Sequence, residues 1–199
     1  SRNLSVIANP VNDLPQIDSL MFENPTISYN QFVGGSLDVK SNASDPSDPA
    51  GTISKVDFEY STDSTNGIDG NWFTILNDTL SPFQKLGWIT EPQGSTDPLV
   101  WVRSVATDDL GGKSAYFAKN ISVDNQAPNT THNYDNQWKT SNIVVNLTAD
   151  DFGGSGISSI SYEINADGLT SSVASDGQPL ITSEGSDNNI TFFSTDNIG

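Results

Sequence analysis

The sequence predicts an all-β chain of two β-sandwich domains in series, and three observations carry that reading. Short runs that alternate apolar and polar residues recur throughout, while no stretch sustains a helical period. Gly-Gly, Asp-Pro, Asn-Gly and Asp-Gly turn signals separate those runs. The polar residues are mainly Ser, Thr, Asn and Asp, whose side chains compete with helical hydrogen bonds and favour turns and strand ends. With 199 residues, 34% of them hydrophobic, the chain has room for two strand-rich domains of roughly 100 residues each.

The strands are read in chain order. Ser36 to Val39 opens the series. Val56, Phe58 and Tyr60 then alternate with Lys55, Asp57 and Glu59, which sets three large side chains on one sheet face. Trp72 to Leu76, Leu99 to Ala106 and Ala115 to Val123 follow. Ile143 to Thr148, Ile160 to Ile164 and Asn189 to Phe193 complete the set, and Gly34-Gly35, Gly111-Gly112 and Gly153-Gly154 read as hairpin turns.

Two segments combine Asn, Asp and Pro directly after a strand and read as domain junctions: Val11 to Pro15 and Val123 to Pro128. They give a terminal strand and linker at 1–14, a domain at 15–125 and a second domain at 126–199. An internal repeat sharpens this division. Arg2-Asn3-Leu4-Ser5-Val6 matches Lys119-Asn120-Ile121-Ser122-Val123, and Ala106-Thr107-Asp108-Asp109-Leu110-Gly111 matches Ser194-Thr195-Asp196-Asn197-Ile198-Gly199. The opening residues therefore read as the last strand of a preceding or neighbouring domain, and the second domain is expected to lack its own last strand. Three arrangements account for this: one period of a longer tandem array, a subunit whose residues Asn3, Leu4, Ser5, Val6 and Ile7 complete a neighbour by strand exchange, or a stretch cut at domain edges.

Acidic residues number 25 against 8 basic ones, a formal net charge of −17, which makes nucleic acid and anionic membrane poor partners and divalent cations good ones. A solvated acidic surface is the plainer account of the same charge. There is no cysteine, so a disulfide framework and a thiolate metal site are excluded. No apolar run approaches membrane-spanning length, so membrane insertion is not expected in this segment. Ser1-Arg2-Asn3 carries no apolar signal region, and any signal or anchor is expected outside the chain.

Seven Asn-x-Ser/Thr sequons, at Asn3, Asn42, Asn77, Asn120, Asn129, Asn146 and Asn189, make glycosylation at the surface an expectation. Catalysis finds no support. His132 is the single histidine and sits in a polar stretch, no glycine loop of phosphate-binding form precedes a helix, and no carboxylate pair is singled out by spacing. Of the four tryptophans, Trp101 and Trp72 read as packed or sheet-edge residues, which leaves Trp88 and Trp138 as the candidates for a sugar-stacking platform.

Four segments, Asp124 to Pro128, Ala149-Asp150-Asp151 with Gly154-Ser155-Gly156-Ile157, Ile160 to Asn165 and Phe193 to Asn197, resemble the immunoglobulin-like and cadherin-like tandem repeats of bacterial and archaeal cell-surface proteins. The first domain matches more loosely through Ala43 to Pro46, Val56 to Ser61 and Ala106 to Asp109. The resemblance implies two immunoglobulin-like β-sandwiches without catalysis, acting as an extracellular structural or adhesive repeat of a filament, stalk or surface layer. Its partners would be copies of itself or adjacent repeats, glycans or another cell surface. It also implies calcium at the junctions, with Asn12, Asp13, Asp45, Asp48, Asp108 and Asp109 around the first and Asp124, Asn125, Asp150 and Asp151 around the second. The full acidic linker pattern of cadherins is absent, and ordinary turn-forming Asp accounts for any one of these residues. The alternative function is a carbohydrate-binding or spacer module beside a secreted glycan-active enzyme.

Overall fold

The computed structural model describes residues 12–45, 51–90, 99–164, 169–173, 178–182 and 188–198. The expected strand at Asn3 to Ile7, the sequon at Asn3 and the candidate ligand Asp48 lie outside the described residues. Among the described residues every regular element is a strand. They run β1 (Gln16–Glu23), β2 (Ile27–Tyr29), β3 (Phe32–Gly34), β4 (Ser36–Ser44), β5 (Ile53–Ser61), β6 (Phe73–Asp78), β7 (Gln84–Ile89) and β8 (Leu99–Asp108). There follow β9 (Phe117–Val123), β10 (Asn129–His132), β11 (Ile143–Val144), β12 (Leu147–Asp150), β13 (Ile157–Ile164), β14 (Leu169–Val173), β15 (Leu180–Ile181) and β16 (Ile190–Asp196). The fold is all-β and divides into two compact units.

The first unit comprises Ser1–Pro25, Ser36–Ile89 and Leu99–Ile121. One of its sheets has the order β1-β4-β7, and β9-β8-β5-β6 run side by side in the other. The alternation read at Val56, Phe58 and Tyr60 sits on β5, between β8 and β6, where Val56 and Phe58 are completely buried. Leu20, Leu37 and Val39 come from the first sheet and Val56, Phe58, Val100, Val102 and Ala106 from the second, and all are buried, as a two-layer sandwich requires. Burying each of the larger of these side chains is worth roughly 1.5–3 kcal/mol. A polar contact crosses the same core: Ser41 Oγ donates to the Ser19 carbonyl at 3.0 Å and lies 3.1 Å from Ser104 Oγ, so neither buried hydroxyl is left unsatisfied.

The second unit comprises Thr26–Gly35, Thr90–Pro98 and Ser122–Gly199. The β2–β3 hairpin turns at Asn30, whose φ of 52° lies in the left-handed region that Asn tolerates. β3 then pairs in parallel with the end of β9, Phe32 opposite Ser122 and Val33 opposite Val123. The other sheets are β14-β13-β16, β10-β12 and β11-β15. Val145, Leu147 and Ile160 form a buried cluster against which Tyr134, Ile143, Ile157, Tyr162, Ile190 and Phe192 pack. A small core of this kind gains from staples that do not depend on apolar area.

Asn125 supplies one such staple. Its Oδ1 accepts the Gly35 amide at 3.0 Å, while its Nδ2 donates to the Thr90 carbonyl at 2.7 Å and to Thr90 Oγ1 at 3.0 Å. These bonds occupy the side chain that the sequence offered as a cation ligand.

Candidate metal centre

Three strand ends converge in the second unit. Asp124 follows β9, Asp151 follows β12 and Asp196 closes β16, and each of the three carboxylates is buried. One oxygen from each lies within 4.8 Å of the others, which is the span that two oxygens bound to one calcium ion at 2.3–2.6 Å can reach.

Local backbone geometry places each group. The Asp124 amide donates to the Val33 carbonyl at 3.0 Å, extending the β3–β9 pairing by one residue and fixing the start of the linker. The loop after β12 folds back through Gly154 N–H, which donates to the Asp151 carbonyl at 2.8 Å. Its next two amides are donors to the carboxylates: Ser155 N–H to Asp124 Oδ2 at 2.7 Å and Gly156 N–H to Asp151 Oδ2 at 2.6 Å. Asp196 Oδ1 accepts Ile198 N–H at 2.8 Å in a turn two residues long. Asn197 then holds the loop, its Nδ2 donating to the carbonyls of Ser155 and Gly156, both at 2.9 Å.

These amide donors fix the carboxylates and leave coordination capacity unused. Asp151, 8% exposed, has its Oδ1 buried without a hydrogen-bond partner, and the same holds for Ser155 Oγ and Gln126 Oε1 on the same two loops. An orphaned buried carboxylate oxygen is costly, the more so among like charges. Pairs of unit charges at this spacing repel by roughly 3 kcal/mol at an effective dielectric of about 20. Burial pushes the Asp151 carboxyl above its ordinary range, and the charges of Asp124, Asp196 and Asp150 push it the same way against the opposing Gly156 amide. A divalent cation bound by all three groups would remove both penalties together.

Gly154 is the roof of this cluster. A Cβ there would lie 2.8 Å from Asp124 Oδ2 and 2.8 Å from Asp151 Oδ2, so both carboxylates would have to shift to admit one. Glycine lets the backbone approach the carboxylates without displacing them.

Of the ten cation ligands offered by the sequence, the structure brings Asp124 and Asp151 together and adds Asp196. Asp150 is exposed and accepts Phe152 N–H at 2.8 Å. Asp13 and Asp109 are exposed and Asp45 is half-buried, and none of them belongs to the cluster. Asn12 and Asp108 meet each other in the first unit, Asn12 Nδ2 donating to Asp108 Oδ2 at 3.0 Å. Asp196 was findable, because the repeat aligns it with Asp108.

The sequons at Asn42, Asn77, Asn120, Asn129, Asn146 and Asn189 are all exposed. Trp88, offered as a sugar platform, is instead buried at 6% exposure, its ring 5.6 Å from that of Tyr60. Trp88 lies opposite buried Leu37 of β4, next to a register shift in the β4–β7 pairing, and this inward position removes it from that role. Trp138 is 81% exposed and borders a cleft of about 820 Å³ together with Tyr134 and Phe192. His132 is exposed and lines the same cleft; its Nδ1 accepts Tyr134 N–H at 3.2 Å and its ring meets Phe192 edge-on.

Comparison with known proteins adds a likeness to solved structures. A solved structure of fibronectin(III)-like modules of Clostridium thermocellum CbhA aligns over 93% of this chain and 87% of that one, at 16% identity and a TM-score of 0.33. No family model and no curated protein matches the sequence. The β-sandwich assignment rests on the strands and sheets themselves: among the described residues there is no helix, and two layers of strands enclose the first unit's core.

Proposed function

We propose that this chain is an extracellular structural module of a microbial surface assembly, without catalytic activity, whose second β-sandwich is pinned by a calcium ion at Asp124, Asp151 and Asp196. The observation that carries the reading is the convergence of three buried carboxylates with an oxygen of Asp151 left without a partner. Calcium suits the centre because it accepts carboxylates, carbonyls and water from irregular loops, whereas magnesium demands near-octahedral geometry and keeps its water. A module that folds loosely without the ion and rigidly with it fits calcium-rich surroundings outside the cell. The acidic surface and the six exposed sequons accord with that location.

Scanning calorimetry with calcium and with a chelator tests the proposal. At a hundredfold excess of calcium over Kd, the second unit gains about 2.7 kcal/mol, and its transition moves up accordingly. Identical transitions in calcium and chelator, with no heat of binding on titration, would refute it.

A second reading draws on Trp138. Its exposed ring at the rim of a cleft bordered by neutral amides, Asn136, Gln137, Asn142, Asn188 and Asn189, is the chemistry that stacks and hydrogen-bonds a neutral sugar. Retardation of the protein in gels containing soluble polysaccharide, abolished by Trp138→Ala, is the outcome that reading requires.

A further inference from the structure

The loop between β10 and β11 in the second unit holds one large ring in water. Tyr134 Oη donates to the Gln137 carbonyl at 2.7 Å, Gln137 N–H to Asp135 Oδ1 at 3.1 Å and Lys139 Nζ to Asp135 Oδ2 at 2.6 Å. Asn136 takes the left-handed conformation that asparagine tolerates, with a φ of 58°. Trp138 sits inside this bonded loop, yet it is 81% exposed. A ring held outward by a tied loop, rather than folded under it, is a stacking surface that needs a partner to cover it.

The cleft beside Trp138 differs in charge from the chain as a whole. The sequence carries 25 acidic residues, but among the described residues that line the cleft there is no carboxylate. The one lysine or arginine there is Lys139, which is paired with Asp135. What remains is neutral amide chemistry at Asn136, Gln137, Asn142 and Asn188, next to the rings of Tyr134 and Trp138. The volume of about 820 Å³ falls within the roughly 300–1,000 Å³ of sites that hold small organic ligands.

The same lining contains Asn189, the first residue of the sequon Asn189-Ile190-Thr191. Asn189 lies just before β16, outside the strand ladder, and both it and Thr191 are exposed. The other described sequons are placed differently. Asn42, Asn77, Asn120 and Asn129 lie inside strands, and Asn146 has its backbone amide and carbonyl bound to Asn133. None of these five lines this cleft.

We propose that Asn189 is N-glycosylated and that the cleft is filled by the glycan it carries, which stacks on Trp138; this rests on the reading of the cleft as a sugar site and names the chain's own glycan as the sugar. In the transfer, Asn189 Nδ2 bonds to the anomeric carbon of a lipid-linked oligosaccharide. The bond from that carbon to the lipid phosphate breaks, and the nitrogen gives up one proton to a base of the transferase. Attachment decides the occupant. A tether this short puts the sugar at an effective concentration on the order of millimolar, so a cleft of only millimolar affinity is filled most of the time, and a free polysaccharide has to compete with it. The covered ring then fixes a bulky, hydrated group against the β10–β11 loop.

The full chain secreted by a eukaryotic host, whose high-mannose N-glycan is the probe, tests this. Peptide mass mapping should find that glycan on Asn189. Hydroxyl-radical footprinting should oxidise Trp138 roughly threefold more slowly than in an Asn189→Gln chain from the same host, which keeps the other sequons. Phe73, exposed in the first unit, is the reference whose rate stays the same. Asn189 found unmodified, or Trp138 oxidised at one rate in both chains, overturns the inference. Gels containing soluble polysaccharide separate it from the reading beneath it. If Asn189→Gln chain is retarded there while the footprint is unchanged, the cleft is a sugar site and only the attached glycan is overturned; if it runs unretarded with the footprint unchanged, both are.

Discussion

Asn12 Nδ2 donates to Asp108 Oδ2 at 3.0 Å, and this bond stands in the first unit where carboxylates face one another in the second. Asn12 follows Val11 as Asp124 follows Val123, and Asp108 aligns with Asp196. The amide neutralises the need for a cation, and its bond is the largest of the effects that hold the Asp108 carboxyl below its ordinary range. The first unit's transition is therefore expected to be the same in calcium and in chelator. Asn12→Asp replaces a donor by a charge beside a buried carboxylate, and should lower the first transition by several degrees in chelator and make it respond to calcium. Calorimetry of the variant in both conditions checks this, and an unmoved first transition would contradict it.

Neutralising a ligand separates cation binding from folding. Asp151→Asn removes one of three crowded charges and leaves the packing volume unchanged, so the second unit without calcium should gain on the order of 1 kcal/mol. The same substitution should weaken calcium binding at least tenfold. A variant that is destabilised in chelator, or that binds calcium as the parent does, would show that the three carboxylates do not act as a centre. Urea titrations in chelator and isothermal titration with calcium supply the two readings.

Much of this architecture was readable because each feature has a short sequence period. Val56, Phe58 and Tyr60 alternate over a strand that lies between two neighbours, and the pattern was strong there because one face is sealed. β1 has no legible pattern: Gln16 to Glu23 mixes Asp18 and Ser19 with Leu20 and Phe22, and its pairing with β4 carries an irregularity between Ile17 and Ser19 that breaks the alternation. β2, β3, β11 and β15 are two or three residues long and are defined by their partners rather than by their own sequence. At the centre, Asp124 and Asp151 stood out as loop carboxylates. Asp196 did not, because it closes a strand and its role depends on a contact 45 and 72 residues away, the differences 196 − 151 and 196 − 124. The inward side of Trp88 is not legible in Gly87-Trp88-Ile89, because the register shift against β4 breaks the alternation of β7.

Gly154→Ala tests the centre by bulk rather than by charge. The added methyl would lie 2.8 Å from carboxylate oxygens of both Asp124 and Asp151, which must move for it to fit. The substitution should cost the second unit about 1–3 kcal/mol and reduce calcium affinity, while the first transition stays where it is. Equal loss in both transitions would mean that the effect is not local.

Arg103 is a heavily engaged cation in the first unit. Its guanidinium lies 3.9 Å from the ring centroids of both Trp72 and Tyr116, and its Nε donates to Glu59 Oε2 at 2.7 Å. Stacking on two rings requires a planar cation, so Arg103→Lys keeps the charge and loses the sandwich. Arg103→Ala is expected to destabilise the first unit by about 1–3 kcal/mol and Arg103→Lys to recover less than half of that. Full recovery by lysine in denaturant titrations would assign the effect to charge alone.

The loop between β5 and β6 carries its own acid sensitivity. Asp69 accepts the Thr65 hydroxyl at 2.6 Å, the Thr65 amide at 2.8 Å and the Ser64 hydroxyl at 2.9 Å, and these bonds, Thr65's first, lower its pKa to about 2. A carboxyl whose folded pKa lies below its unfolded value binds fewer protons folded than unfolded. Its contribution is complete above the unfolded value near 4 and is lost as the pH falls toward 2. Trp72, whose Nε1 donates to the Asp69 carbonyl at 2.9 Å, reports on the same loop. Its fluorescence should therefore change between about pH 4 and pH 2, and Asp69→Asn should flatten that change while leaving the spectrum at neutral pH close to the parent's. An unaltered acid titration in the variant would place the sensitivity on Asp63, which accepts the Asn71 amide at 2.7 Å and whose pKa the bonds of that loop also lower.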